Sequence, residues 1–240
     1  MTPVSIFNDV IGPVMRGPSS SHCAAALRIG RLARDLMDGE IAEVLVEFDR
    51  AGSLPTTHES QGSDMGLFGG LLGWEADDER LPNSAKALAE AGIKLRIETV
   101  DGGDPHPNTY RLTLKNSRET HSLIAISTGG GMMEVLSMDG IRMPMDGGYH
   151  ETLIWLPKAV SAEFEADAVL HHDAGECQIL QVKSAAFAAT DHLPSITINV
   201  DGKFRGANLE ALNAGERVDA VGSRNTHRGD RKSTRLNSSH

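Results

Sequence analysis

One stretch constrains the fold more than any other. Residues Gly17–His22, with the sequence Gly-Pro-Ser-Ser-Ser-His, run directly into an alanine-rich apolar segment. Pro18 fixes its own φ and lacks an amide hydrogen, and serines are preferred at helix N-caps. The pattern therefore predicts a helix over about residues 21–37, ended by Gly39, whose free amides and positive dipole end suit a carboxylate or phosphate. The plainer interpretation is that the serines only cap the helix and that His22 lies on its surface.

A second polar segment, Ser53–Asp64, precedes an apolar stretch that begins at Met65. This stretch predicts another helix, capped by Ser63 or Asp64 and ended by Gly73. The polar residues before it add hydroxyl, carboxylate and imidazole groups to the chain at one place.

A third polar segment, His106–Thr109, lies where a strand begins. His106 stands between two prolines, which restrict its backbone, and Asn108 follows two residues later. A rigidly held histidine with a nearby amide is a candidate ligand-binding pair. The alternative is an inert turn histidine.

The patterns predict a domain of alternating helices and strands over residues 1–156. The predicted helices are residues 21–37, 65–72 and 83–91, and the predicted strands are residues 44–48, 93–97, 110–114, 121–126, 132–138 and one or two within 141–156. Residues 157–229 are predicted to form a less regular extension or linker, with a turn at His171–Gly175 and strands at residues 178–183 and 195–200. Residues 230–240 resemble the translation of a sequencing-library adapter and are excluded from the predicted fold.

Composition narrows the class of partner. The chain has 240 residues and a net charge of -10, which disfavours a nucleic-acid backbone as partner. No apolar run approaches the roughly 20 residues of a membrane span, and no signal peptide is visible at the start, so we expect a cytoplasmic protein without membrane contact. Cys23 and Cys177 lie far apart, which predicts neither a disulfide framework nor a metal site.

Several stretches taken together carry a family resemblance. They are Ser5–Pro13, Gly17–His22, Ser53–Asp64, Leu71–Gly73 and His106–Thr109, extended by Ser127–Gly131. In this combination they resemble the beta chain, or beta domain, of the iron-sulfur-dependent L-serine dehydratases. Members usually carry Gly-His-Gly-Thr-Asp where this chain has Ser60–Asp64, so Gln61 replaces a histidine and Ser63 replaces a threonine.

The resemblance implies a reaction, a cofactor and a partner. It implies elimination of water from L-serine, followed by hydrolysis of the enamine to pyruvate and ammonia. In the family a 4Fe-4S cluster, held by three cysteine thiolates, is the Lewis acid. Two cysteines cannot supply that set, so the cluster is expected in an alpha chain or alpha domain. This chain is then expected to hold no metal, to be catalytically incomplete by itself and to work within an oligomer.

The resemblance also implies a fold and a set of substrate-facing residues. The resemblance implies an α/β fold with α+β layering, similar to the allosteric, anion-binding domain of some phosphoglycerate dehydrogenases. The substrate-facing residues are expected to be His22, His106 and Asn108, with Ser19, Ser20, Ser21 and Ser63 in weaker roles. No residue is assigned as the base that removes the α-proton.

Three alternatives remain open from the sequence. The first alternative is a stand-alone regulatory module that binds an amino acid or a small anion. The second is a structural dimerisation module. A third alternative is a pyridoxal-phosphate enzyme, with Ser127–Gly131 as its phosphate loop and Lys183 as its aldimine lysine. The glycine-rich loop can cradle an anion, but tight hairpins use the same residues.

Overall fold

The chain forms two compact units. The computed structural model describes residues 16–146, 149–159, 161–163, 166–184, 197–199 and 221–223. The first unit extends to Asp146, and the second begins at Gly147. The boundary predicted at residue 156 stays a prediction, as do those at residues 229 and 230. The short apolar segment Ser5–Ile11, whose sequence is typical of a helical turn or an edge piece, lies outside the described residues.

The first unit alternates helices and strands before it ends in a run of strands. Its helices are α1 (Ser20–Leu36), α2 (Leu54–Thr57), α3 (Ser63–Leu71) and α4 (Ser84–Glu90), with a 3-10 turn at Leu81–Asn83. Its strands are β1 (Glu43–Asp49), β2 (Lys94–Val100), β3 (Thr109–Lys115), β4 (Thr120–Gly129), β5 (Met132–Met138) and β6 (Ile141–Met145).

These strands form one mixed sheet in the order β2-β1-β3-β4-β5-β6. β1 and β2 are parallel and are joined through the helical segment between them, whereas the remaining neighbours are antiparallel. Alternate residues of β1, namely Val44, Val46 and Phe48, are buried, as the sequence pattern predicts. α1 packs against β4 and β5, and α2 packs against β1. The first unit is therefore an α+β layer structure, which confirms the coarse fold class.

α1 and α3 pack with their backbones in close approach. A Cβ added at Gly66 would lie 2.1 Å from the carbonyl oxygen of Cys23, and one added at Gly70 would lie 2.1 Å from that of Leu27. Because both contacts advance by four residues along each chain, the two helices run in the same direction. Their N-termini therefore lie side by side.

The glycines predicted to end α1 and α3 are confirmed, whereas the predicted N-cap of α3 is not. Gly39 and Gly73 adopt positive φ after α1 and α3. The capping prediction for α3 is wrong, because Gly62 holds the N-cap position with φ +79, and Ser63 is the first helical residue. The amides of Ser63 and Asp64 instead donate to the carbonyl oxygen of His58.

The second unit contains short antiparallel sheets. Its strands are β7 (His150–Pro157), β8 (Ser161–Glu163), β9 (Ala168–Ala174), β10 (Cys177–Ser184), β11 (Thr197–Asn199) and β12 (Val221–Ser223), in the sheets β12-β7-β10-β9 and β11-β8. The turn predicted at His171–Gly175 is wrong in its position, because β9 continues through Ala174 and Gly175 lies in the turn. Pairing with β10, which extends to Ala174, maintains the strand despite the polar composition of its end.

Polar side chains of this sheet bond to one another. Lys183 lies 3.1 Å from the buried Glu151, which also accepts a hydrogen bond from Gln181. His172 lies 2.9 Å from the Gln181 side chain. Lys183 is thus part of an ion pair within the sheet.

Candidate functional site

The three polar segments of the sequence lie at one edge of the six-stranded sheet. β1 ends there at Asp49, and β3, antiparallel to it, begins there at Thr109. The Ser53–Asp64 segment follows β1 in the chain, and the His106–Thr109 segment precedes β3 and includes its first residue. We call these two segments, together with the helix-start segment Gly17–His22, the loop cluster.

The helix-start segment brings a serine and a histidine together. Ser19 occupies the N-cap position of α1, as predicted, but its hydroxyl makes no capping bond. Its Oγ instead lies 2.7 Å from His22 Nδ1. Ser20 is exposed, and Ser21 and His22 are partly exposed. The Ser19 hydroxyl therefore bonds His22 rather than capping α1, and among the described residues the interpretation of this serine as a simple cap does not describe the geometry.

A backbone bond joins the helix-start segment to the Ser53–Asp64 segment. The Ser19 amide donates to the carbonyl oxygen of Gln61 at 3.2 Å. A Cβ added at Gly62 would lie 3.0 Å from Cδ of Pro18, so the two segments are in van der Waals contact. The glycine at this position combines a left-handed φ with a close approach.

Further bonds join the Ser53–Asp64 segment to the third segment. The Ser53 amide donates to the Pro107 carbonyl oxygen at 2.9 Å, and the Ser53 hydroxyl donates to Oδ1 of Asn108. The Asn108 amide donates to Nδ1 of His106 at 3.1 Å. Since Nδ1 accepts this bond, a neutral His106 carries its proton on Nε2. The structure thus brings His106 and Asn108 together in a rigid turn.

Two carboxylates brace the loops at this edge. Asp49, which is 5% exposed, accepts bonds from the amides of Ala51 and Asp104. These backbone bonds, chiefly the one from Ala51, lower the pKa of Asp49. Asp104 in turn forms a bidentate ion pair with Arg111 of β3. The loop before His106 is therefore tied to both β1 and β3.

A histidine–carboxylate pair lies in the middle segment. Nδ1 of His58 is 2.8 Å from each carboxylate oxygen of Asp64. The His58 ring packs on Phe48, with ring centroids 5.1 Å apart. Burial raises the pKa of Asp64, and the hydrogen bond and charge of His58 oppose that rise. The pair could not be predicted from the sequence, because His58 and Asp64 are six residues apart across a loop and a helix start, a spacing that matches no periodic pattern.

Beneath the loop cluster lies a buried group of weakly polar side chains. Ser63 is 1% exposed and Tyr110 is fully buried, and among the described residues neither hydroxyl has a hydrogen-bond partner. Burial raises the pKa of Tyr110 to about 12 and that of the Cys23 thiol to about 11. Ser63 therefore lies in the core, below the more exposed members of the predicted site.

The glycine-rich stretch Ser127–Gly131 forms the end of β4 and a tight turn into β5. Gly129, Gly130 and Gly131 all have positive φ. The Gly131 carbonyl oxygen accepts a 2.6 Å bond from the Arg28 guanidinium of α1, whose pKa is lowered by burial. The hairpin interpretation accounts for all three glycines. The Ser127 amide also donates to the Asn108 carbonyl oxygen, which ties this strand end to the loop cluster.

The residues of this chain do not fit an iron–sulfur cluster. Cys23 is buried with a raised pKa, which disfavours the thiolate that binds iron. Cys177 belongs to the second unit. Within the residues that the structure describes, no three histidine, cysteine or acidic side chains are placed to hold a metal ion.

The fold and the site define an α+β protein with polar loops gathered at one sheet edge. Comparison with known proteins identifies its family. Over 150 residues the chain is 37% identical to a probable L-serine dehydratase beta chain from Bacillus subtilis, covering 62% of this chain and 67% of the relative. Over 161 residues it is 36% identical to the L-serine dehydratase beta chain of Peptoniphilus asaccharolyticus, covering 66% and 71%. No family model matches the chain. The chain belongs to the family of L-serine dehydratase beta chains.

Two further findings bear on the sequence predictions. The family confirms the predicted resemblance and does not favour the stand-alone regulatory module. Among the described residues, no helix has the length and apolar character needed to cross a membrane.

Proposed function

We propose that this chain is the beta portion of an L-serine dehydratase and takes part in converting L-serine to pyruvate and ammonia together with an alpha chain or alpha domain. One observation carries the proposal: three of the segments that bear the family resemblance meet at one sheet edge, where hydrogen bonds join the Ser53–Asp64 segment to each of the other two. Both relatives are named as L-serine dehydratase beta chains, the one from Bacillus subtilis as a probable one.

The loop cluster supplies groups that match the substrate. L-Serine carries a carboxylate, an ammonium and a hydroxyl, and the uncapped first turn of α1 suits the carboxylate. His22 and His106 are partly exposed and offer ring nitrogens that bond the substrate or move a proton. The backbone amide of Asn108 donates a hydrogen bond to Nδ1 of His106 and so orients the imidazole. Ser19, Ser20 and Ser21 line the same helix start, and buried Ser63 begins the neighbouring helix α3.

The cofactor in this proposal is a 4Fe-4S cluster that belongs to the alpha part. When bound there, it supplies a Lewis acid for the substrate hydroxyl. The side chains of this chain then bind and orient the amino acid and exclude water. We further propose that the complex is an oligomer that works in the cytoplasm without nucleic acid or membrane. We also propose that the first unit is related in fold to the allosteric domain of some phosphoglycerate dehydrogenases.

The test is anaerobic pyruvate formation from L-serine. This chain is assayed with and without an alpha chain of the same family, and the iron content of each preparation is measured. Activity and iron are expected only when the alpha chain is present. Pyruvate formation by this chain without a partner, or an inactive complex that contains iron, would contradict the proposal.

A further inference from the structure

We infer that His58, held by Asp64, is an acid–base residue of the loop cluster that accepts the α-proton of the substrate. The inference rests on the proposed function and assigns a role in that reaction that the family resemblance leaves open. Asp64 is a positioning residue in this account, because it acts through His58.

The contacts of His58 fix the orientation of its ring. Both carboxylate oxygens of Asp64 lie 2.8 Å from Nδ1, so Nδ1–H donates to the carboxylate. The neutral ring then has its lone pair on Nε2. The ring packs on Phe48 at an interplanar angle of 42°, and the His58 carbonyl oxygen accepts hydrogen bonds from the amides of Ser63 and Asp64. The side chain and the backbone are therefore both held, and among the described residues Nε2 is the ring nitrogen without a partner.

The surroundings of His58 suit a proton acceptor. The side chain is 22% exposed, and Nε2 has no hydrogen-bond partner among the described residues. Along the chain, residue 58 lies between Ser53, which bonds Asn108, and Gln61, which accepts the Ser19 amide. A carboxylate that accepts a hydrogen bond from Nδ1 of an imidazole stabilises the imidazolium that forms when Nε2 accepts a proton.

The position of His58 also bears on the departure from the family pattern at residue 61. The chain has Gln61 where members usually carry histidine, and His58 lies three residues earlier in the same loop. The Gln61 backbone contacts the helix-start segment, whereas its side-chain Oε1 is buried and has no partner in the described residues. The imidazole of this segment therefore comes from residue 58.

The proposed step balances without a further reactant. Nε2 of His58 forms a bond to the α-proton as the Cα–H bond breaks, and the electron pair forms the Cα=Cβ double bond. The Cβ–O bond breaks with its electrons on oxygen. The proton on His58 then returns to that oxygen, directly or through water, so the products are 2-aminoacrylate and water.

The test uses the complex with the alpha chain and compares three variants with the wild type. His58→Gln is expected to lower kcat at least about 100-fold, with KM for L-serine within about threefold. Asp64→Asn is expected to lower kcat by about 10-fold or more, again with little change in KM. His121→Gln is the matched control, because His121 makes the same kind of contact with Asp139, at 2.7 Å, near the opposite end of β4. Its kcat is expected to stay within about threefold of the wild type.

A second readout separates proton transfer from loop support. With L-serine deuterated at Cα, the residual turnover of His58→Gln is expected to show a primary isotope effect. Three results would each overturn the inference while leaving the proposed function standing. They are a kcat of His58→Gln within threefold of the wild type, a loss of kcat in His121→Gln equal to that in His58→Gln, and the absence of an isotope effect in His58→Gln. An inactive wild-type complex would overturn both.

Discussion

At the scale of single residues, Asp49 shows how a buried carboxylate holds the site in place. Its oxygens accept the amides of Ala51 and Asp104, so it joins the end of β1 to the loop that leads to His106. Replacing it with asparagine removes the charge that strengthens these bonds. The loop cluster therefore depends on a residue that does not face the substrate.

Asp49→Asn is expected to be less stable than the wild type at pH 7, and the difference is expected to shrink in acid. Because the folded-state pKa of Asp49 is lowered, its contribution is complete above its unfolded pKa of about 3.9 and is lost as the pH falls through the folded value. Urea unfolding from pH 7 to pH 3 measures the difference.

The matched control is Asp101→Asn, because this carboxylate is 84% exposed and pairs with an exposed Arg50. It is expected to change the free energy of unfolding by less than about 1 kcal/mol. A gap between Asp49→Asn and the wild type that stays constant down to pH 3 would contradict the assignment to the ionised carboxylate.

At the scale of elements, the contact between α1 and α3 places two helix starts beside each other. Gly66 and Gly70 allow this contact, since a Cβ at either position would lie 2.1 Å from a backbone carbonyl oxygen of α1. The backbone of α1 cannot move away locally without moving Ser19 and His22. The packing of the helices and the geometry of the loop cluster are therefore coupled.

Gly66→Ala and Gly70→Ala are each expected to lower the free energy of unfolding by about 1–3 kcal/mol, because overpacking outweighs the gain in helix propensity. Gly69→Ala on the same helix is the control. Its Cβ would meet the terminal carbon Cδ2 of Leu81, which can rotate away. Its stability is expected to stay within about 1 kcal/mol of the wild type. Equal losses in all three variants in urea unfolding would contradict this account of the contact.

At the scale of the whole molecule, the sequence predicted most elements of the first unit. The helix beginning after Ser19, the alternating strands and the terminating glycines were all predicted from local periodicity. The N-cap of α3 was not, because the backbone freedom of Gly62 outweighed the capping preference of its neighbours. In the second unit, the polar end of β9 concealed a strand that pairing with β10 maintains.

The candidate site was predictable only in part. The sequence motifs indicated the three segments of the loop cluster and, within them, His22, His106 and Asn108. The roles of these three residues stay predictions. The Ser53–Asn108 bond and the His58–Asp64 pair arise from tertiary contacts across 55 and 6 residues. Sheet topology brings the ends of β1 and β3 together, and no local pattern encodes that meeting.

The central claim is that the loop cluster is one substrate site. A double-mutant cycle on kcat/KM for L-serine tests it in the complex with the alpha chain, using His22→Ala, His106→Ala and the double variant. Residues that act on one bound substrate are expected to be coupled, so the combined effect should differ from additivity by about 0.5 kcal/mol or more. Single variants without effect, or effects that add within about 0.3 kcal/mol, would contradict the claim.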